Sequence, residues 1–398
     1  MHPIVPTLTL AVVLLPSLVL AQWLPSAPVQ LFEGRVRLGA EITATAGAPD
    51  DETFFNYTDY ERNGLRTFRA ALAVQWQPAR RVALLAEVRA DDTDITASAA
   101  YVRVRPWLDY PFELQAGRIP PVFGAYSRRA YQPDRALIGY PLAYQYLTSL
   151  RSDALPAVPE DLLRMRGRGW RSSFPVGSLD AGPGLPLISA FRWDTGVQAR
   201  WASSRVDAAV ALTQGTLANP LWNDDNAGEQ VAGRLAVTPT VGLILGASGA
   251  RGGWISRGVP GARESDAQSA LGADAEYSRG HVILRTELVW SRWDLPTLTS
   301  AATRSSVSAL GAWVEGRYRI APRWYLAARA DRLGFSRLDA PESGVRLPWD
   351  APIRRFELGA GYSIQRNLVL RVGLQFNERD GIRKEHRTFF ATQAAWWF

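Results

Sequence analysis

Arginine carries most of the chemistry open to this sequence. Of 45 basic residues only Lys384 is a lysine, against 38 acids, for a formal charge of +7 over 398 residues. The densest group lies in residues 120–190, where Arg128, Arg129, Arg135, Arg151, Arg164, Arg166, Arg168 and Arg171 face Asp134, Asp153, Glu160, Asp161 and Asp180. Tyr126, Tyr131, Tyr140, Tyr144, Tyr146 and Trp170 are interleaved with them. Charges held at a narrow passage select ions, and stiff aromatic rings would pin such a segment against a wall. Arg69, Arg103, Arg105, Arg329 and Arg371 stand singly in segments of alternating polarity. With Arg128, Arg129, Arg135 and Asp134 they are the candidates for lining a passage.

Catalytic groups are sparse. The absence of cysteine excludes disulfides, thiolate metal sites, c-type haem attachment and thiol nucleophiles. Beyond His2 the only histidines are His281 and His386, which fall beside opposite kinds of chain connection, and no Ser–His arrangement is formed. The run WNDDNAGE at 222–229 offers oxygen ligands, but its spacing departs from the calcium loop and reads as a solvated turn. No enzyme activity, cofactor or metal is expected. The arginines are scattered among acids with no basic stripe, which argues against nucleic acid as a partner.

The elements that position these residues follow from period. In LVLRVGLQFN, residues 368–377, Leu368, Leu370, Val372, Leu374 and Phe376 alternate with Val369, Arg371, Gly373, Gln375 and Asn377. This is the period of a strand with one apolar face and one polar face. It recurs in sixteen candidate strands, from 34–45 to 387–398. Short turns such as Arg279-Gly280 and Gln365-Arg366-Asn367 alternate with mostly longer links, among them 46–65, 120–190, 293–305 and 336–352. So many strands with apolar faces on one side cannot share one soluble core. They predict a 16-stranded antiparallel transmembrane β-barrel, apolar outside and wet inside, with tight turns on one rim and long loops on the other. Closure is required, because an open sheet edge in hydrocarbon strands its backbone groups.

The first residues, MHPIVPTLTLAVVLLPSLVLAQ, have the apolar run and small residues of a secretory leader, with cleavage expected after Ala21. Residues 22–33 then form an N-terminal periplasmic segment and 34–398 the barrel. The chain closes in HRTFFATQAAWWF, which places Phe390, Ala394, Trp396 and Phe398 on one face. This ending resembles the C-terminal signal of bacterial outer-membrane barrels.

Before the long link stands AYVRVRPWLDYPFELQAGRIPPVFGAYSRRAY, residues 100–131. Its Gly117, Arg118, Pro121, Phe123 and Gly124 resemble the element that opens the third extracellular loop in the porin superfamily that includes the phosphate-selective porins. The resemblance covers the whole mature chain in architecture and about thirty residues in motif. It implies short periplasmic turns, long extracellular loops, an inward-folded third loop narrowing the pore, and a homotrimer in the outer membrane of a Gram-negative-type bacterium. It also adds Arg118 to the constriction candidates, although Arg118 has lipid-facing parity unless a bulge re-aims it. A chain with one lysine lacks that family's lysine-rich phosphate route.

The expected function is a water-filled channel for passive diffusion of small hydrophilic solutes. Its outer face meets membrane lipid and lipopolysaccharide. A small excess of arginine over acid on the polar faces suggests a mild anion preference. The alternative is a structural sheath whose lumen holds a partner protein, such as a multihaem cytochrome in trans-outer-membrane electron transfer.

Overall fold

The structure is a computed structural model that describes residues 28–51, 53–57, 63–91, 94–126, 131–189, 193–226, 228–300, 303–340 and 344–398. The leader and its cleavage site lie outside the described residues. Sixteen strands form one antiparallel closed sheet: β1 Val36–Gly47, β2 Phe68–Ala79, β3 Val82–Asp91, β4 Asp94–Val104, β5 Phe112–Ile119, β6 Asp194–Ala202, β7 Val206–Thr213 and β8 Gln230–Thr240; then β9 Leu243–Gly253, β10 Ala267–Arg279, β11 Val282–Ser300, β12 Thr303–Ala321, β13 Trp324–Phe335, β14 Ile353–Gln365, β15 Leu368–Asp380 and β16 Lys384–Trp397.

Each strand pairs with the next, and β16 returns to β1 with Glu41 opposite Trp397. At the seam Phe398 and Ala40 exchange backbone hydrogen bonds of 3.0 and 3.2 Å. Below them a three-residue strand, Val29–Leu31, continues along the same edge of β1, with Val29 opposite Leu38. The N-terminal segment therefore covers ladder positions that the last strand does not reach. An unpaired donor or acceptor left there in an apolar medium would cost several kcal/mol.

The alternation divides outside from inside. On β15, Leu370, Val372 and Phe376 are 43%, 46% and 42% exposed, whereas Arg371, Gln375 and Asn377 are buried. Equivalent outward residues on other strands, such as Leu235 on β8 and Leu326 on β13, complete an exposed apolar belt. Among the described residues no helix is long and apolar enough to cross a membrane. The short turns are made where the sequence expects them, and Gly242 and Gly280 supply the positive φ of +85° and +59° that two of them need.

Three elements differ from the sequence expectation. The link expected at 293–305 is mostly strand, since β11 and β12 run on to Ser300 and from Thr303. The link 336–352 carries its own hairpin, Arg337–Ala340 with Val345–Pro348. The inner wall is also not polar throughout. Val289, Trp293 and Leu295 of β11, Val307 of β12, Leu333 of β13 and Ile353 of β14 are buried in one cluster with Leu142, Leu150, Leu162 and Leu187 of the long link. All three differences have one cause. The long link brings an apolar core of its own into the barrel, and the strands facing it extend and turn apolar side chains inward to meet it.

Candidate functional site

The link between β5 and β6 spans 120–193. It contains two short helices, α1 Leu142–Gln145 and α2 Pro159–Met165. The sequence expected a helix near 161–167. It starts earlier because Pro159 sits at the first turn and the Asp161 carboxylate accepts the N–H groups of Ala157 and Val158 at 2.9 and 3.1 Å. It stops where Gly167 takes φ +70°.

Carboxylates on widely separated strands hold the link by its backbone. Glu287 of β11 accepts the Ala125 N–H at 2.9 Å, the Tyr144 hydroxyl at 2.8 Å and the Trp313 indole at 3.2 Å. Glu357 of β14 accepts the Gly139 N–H at 2.8 Å. Glu41 of β1 accepts the Gln132 N–H at 2.7 Å. Glu87 of β3 accepts the Tyr131 hydroxyl at 2.6 Å. Above them Asp350, in the link after β13, accepts the N–H groups of Ser149 and Gly167 at 2.7 Å each and that of Ala351 at 2.6 Å. Burial pushes the Asp350 carboxyl above its usual range against the pull of these three donors. The link is thus pinned to strands from β11 round through β1 to β3.

The arginines predicted from sequence fall into separate groups. Arg371 donates to the Tyr325 hydroxyl at 3.0 Å, to both oxygens of Gln132 at 2.5 and 2.7 Å, to Gln393 at 2.8 Å and to the Arg135 carbonyl at 3.1 Å. Arg135 turns back on its own segment, donating to the carbonyls of Ile138 and Gly139, with its guanidinium 3.9 Å from the centre of the Tyr140 ring. Arg69 donates to the Tyr140 hydroxyl at 2.7 Å. Burial alone would raise the Tyr140 phenol; the charges of Arg135 and Arg69 outweigh it and leave the group below its usual value. Arg329 is fully enclosed by three acids, Asp331 at 2.7 Å, Glu357 at 2.8 Å and Glu315 at 3.3 Å. Arg103 and Arg105 lie apart from these, near Glu113 at 3.9 and 3.8 Å. Arg128 and Arg129 lie outside the described residues.

Arg118 is elsewhere. It pairs with Ala100 in the ladder and keeps the outward parity of Ala100 and Ala116, both exposed. The positive φ of Gly117 does not bring it to the inner face. Its guanidinium donates to the carbonyls of Ser98 at 3.2 Å and Leu221 at 3.4 Å, and lies 4.4 Å from the centre of the Trp222 ring. It tacks the link after β7 to the wall and does not line the interior.

Beside the pinned link, toward the short-turn rim, remains a cavity of about 340 Å³. Ala125 and Asp134 of the link bound it on one side and β6 to β11 on the other. Its charged lining is Arg200, Arg234 and Arg285 with Asp134, Asp207 and Glu276. The cations are paired: Arg200 to Asp207 at 3.0 Å, Arg234 to Asp274 at 2.7 Å and Arg285 to Glu276 at 2.7 Å. Arg285 also donates to the Asp134 carbonyl at 2.7 Å, while Asp134 itself is exposed. Among the described residues, Asp134 is the only predicted candidate that lines this cavity. The period of β6, β8 and β11 places the three arginines on the polar face, but nothing local in the sequence says which sector of the wall the link leaves uncovered.

No protein-family model matches the chain, and no curated protein matches it. Solved structures do. The outer membrane channel DcaP of Acinetobacter baumannii gives a TM-score of 0.55 at 9% identity, covering 94% of this chain and 100% of that one. OmpT, an outer membrane protein of Vibrio cholerae, in a trimer form, gives 0.54 at 12%, covering 91% and 99%. An anion-selective porin from Comamonas acidovorans gives 0.50 at 10%, covering 91% and 99%. At such identities the likeness establishes the shared barrel fold alone.

Proposed function

We propose that the chain is a porin of the bacterial outer membrane, passing small hydrophilic solutes by passive diffusion along one side of its lumen. The observation that carries this reading is the charged cavity between the pinned link and β6 to β11, inside a closed barrel whose outer face is apolar. Lipid and lipopolysaccharide would contact that outer face, with the short turns in the periplasm and the long links outside. The constriction would be set by Asp134 and the wall arginines Arg200, Arg234 and Arg285. Arg128 and Arg129, six and five residues on the N-terminal side of Asp134, remain candidates for it. Because each wall arginine has an acid beside it, the anion preference is mild. An anion-selective porin among the similar structures is in keeping with that sign, and a trimer form among them with a homotrimer.

The sheath reading asks for an empty lumen. Residues 131–189 occupy much of it with a buried core, which favours the channel over the sheath. Purified protein in a planar bilayer should give stepwise conductance with a small anion-directed reversal potential in a salt gradient. A folded sample that never conducts would refute the channel.

A further inference from the structure

Most inward arginines are matched by acids, but one group has more cations than acids among the described residues. Near the short-turn rim, Arg103 of β4, Arg105 in the turn after it and Arg200 of β6 surround Glu113 of β5, and Arg37 of β1, with β2 and β3 between it and β4, adds its charge to Arg105. Arg103, Arg105 and Arg200 approach the Glu113 carboxylate only to 3.9, 3.8 and 3.7 Å. These are ion-pair distances beyond hydrogen-bond reach. Glu113 Oε1, the oxygen that Arg200 approaches, already accepts the Gln115 amide at 2.8 Å, while Arg103 and Arg105 approach Oε2. Asp207 is taken up by Arg200, which holds it with two parallel hydrogen bonds of 3.1 and 3.0 Å.

Arg37 faces Gln75 across the ladder, and Gln75 accepts from Arg103 at 3.3 Å. The buried Nε of Arg37 has no hydrogen-bond partner among the described residues. The charges that weigh most on Arg105 are those of Arg103, Glu113, Arg200 and Arg37, one acid among three cations. Among the described residues, four guanidinium groups therefore meet two carboxylates, Asp207 being taken up by Arg200. The result is an excess of two positive charges on a partly buried wall.

We propose that this cluster binds a small doubly charged oxyanion at the short-turn mouth of the lumen. The forked N–H groups of arginine match the oxygens of sulfate, phosphate or a dicarboxylate, and guanidinium gives up water more readily than ammonium does. A bound dianion neutralises the excess and supplies acceptors that Glu113 cannot. Arg200 belongs both to this cluster and to the lining of the cavity, so an anion held here sits at one end of the solute path. The proposal depends on the channel reading only for access to the lumen.

The test uses the folded full-length protein in detergent, with sulfate as the probe because its charge is constant near neutral pH. Calorimetric titration at low ionic strength should show saturable binding. Arg103→Gln and Arg105→Gln should each weaken it at least about ten-fold. Glu113→Gln, which removes the competing carboxylate, should strengthen it. Arg346→Gln, on the exposed hairpin, should leave it unchanged. Arg105 and Glu113 guard against a misfolded Arg103 variant, and heat-modifiable gel mobility confirms closure of each barrel. Parallel titrations with phosphate and succinate rank the oxyanions. Absence of saturable binding, or equal affinity in all variants, overturns the site. Conductance is read separately in planar bilayers. A channel that conducts but does not bind sulfate refutes the site alone; a barrel that binds sulfate but does not conduct refutes the channel alone.

Discussion

Arg329 shows what a single residue does in this interior. Its guanidinium is fully buried and meets Asp331, Glu315 and Glu357, so three acids of three strands converge on one cation. Arg329→Gln takes this counter-charge from all three and leaves Glu315 only Arg285 at 3.8 Å, at a cost of about 3–5 kcal/mol for breaking a buried pair. The variant barrel should unfold at a clearly lower temperature in a heat-modifiability gel. The exposed pair Arg346–Asp339, at 2.9 Å, is expected to contribute about 0–1 kcal/mol. Arg346→Gln should therefore unfold with the parent protein, and a comparable loss would show that the ranking by burial is wrong. Arg329 and Arg371 are visible in the sequence as lone charges on alternating segments. Their partners are not, because Gln132 and Glu357 come from elements distant in the chain. Arg118 shows the opposite error: its neighbours resemble a porin motif, but its ladder parity points outward and a bulky link covers it.

The long link is the element on which the interior turns. Its length and its arginine and tyrosine content stand out in the sequence, and so does a helix near 161–167. Its docking does not, because the groups that hold it, Glu41, Glu287, Glu357 and Asp350, are scattered over the whole chain. The same blindness explains β11 and β12. Their alternation gives way at 293–305 to Thr, Ser and Pro296, which reads as a polar link until the core of residues 131–189 is set against Trp293, Leu295 and Val307. Asp350 tests the docking. Asp350→Ala removes the acceptor of the Ser149 and Gly167 N–H groups, and each buried donor left unmet costs about 1–3 kcal/mol. The sixteen-strand ladder does not depend on it. The variant should keep its barrel melting temperature, gain protease cleavage within 141–189 and show noisier, larger conductance steps. Unchanged protection and conductance would mean that the link is held by its apolar core alone.

At the scale of the whole molecule the barrel was legible because its signal is repeated sixteen times. Strand period, alternating connection lengths and a closing aromatic strand all point to one closed sheet, and closure forces the apolar side outward. Val372 lies on that side in β15 and is 46% exposed. Val372→Arg should cost about 2–4 kcal/mol if it lies near the bilayer midplane, and should lower the yield of refolding into lipid vesicles. Equal yield would place Val372 away from hydrocarbon. The absence of cysteine makes the most direct test simple. Single cysteines replace Leu235, on the outer face of β8, and Thr238, on the same strand in the lining of the cavity. In protein reconstituted into vesicles, a water-soluble thiol reagent should modify Thr238→Cys and spare Leu235→Cys, while a spin-labelled acyl chain should quench a fluorophore at 235 and not at 238. Reversed reactivity, or water access at both positions, would contradict a barrel with lipid outside and solvent within.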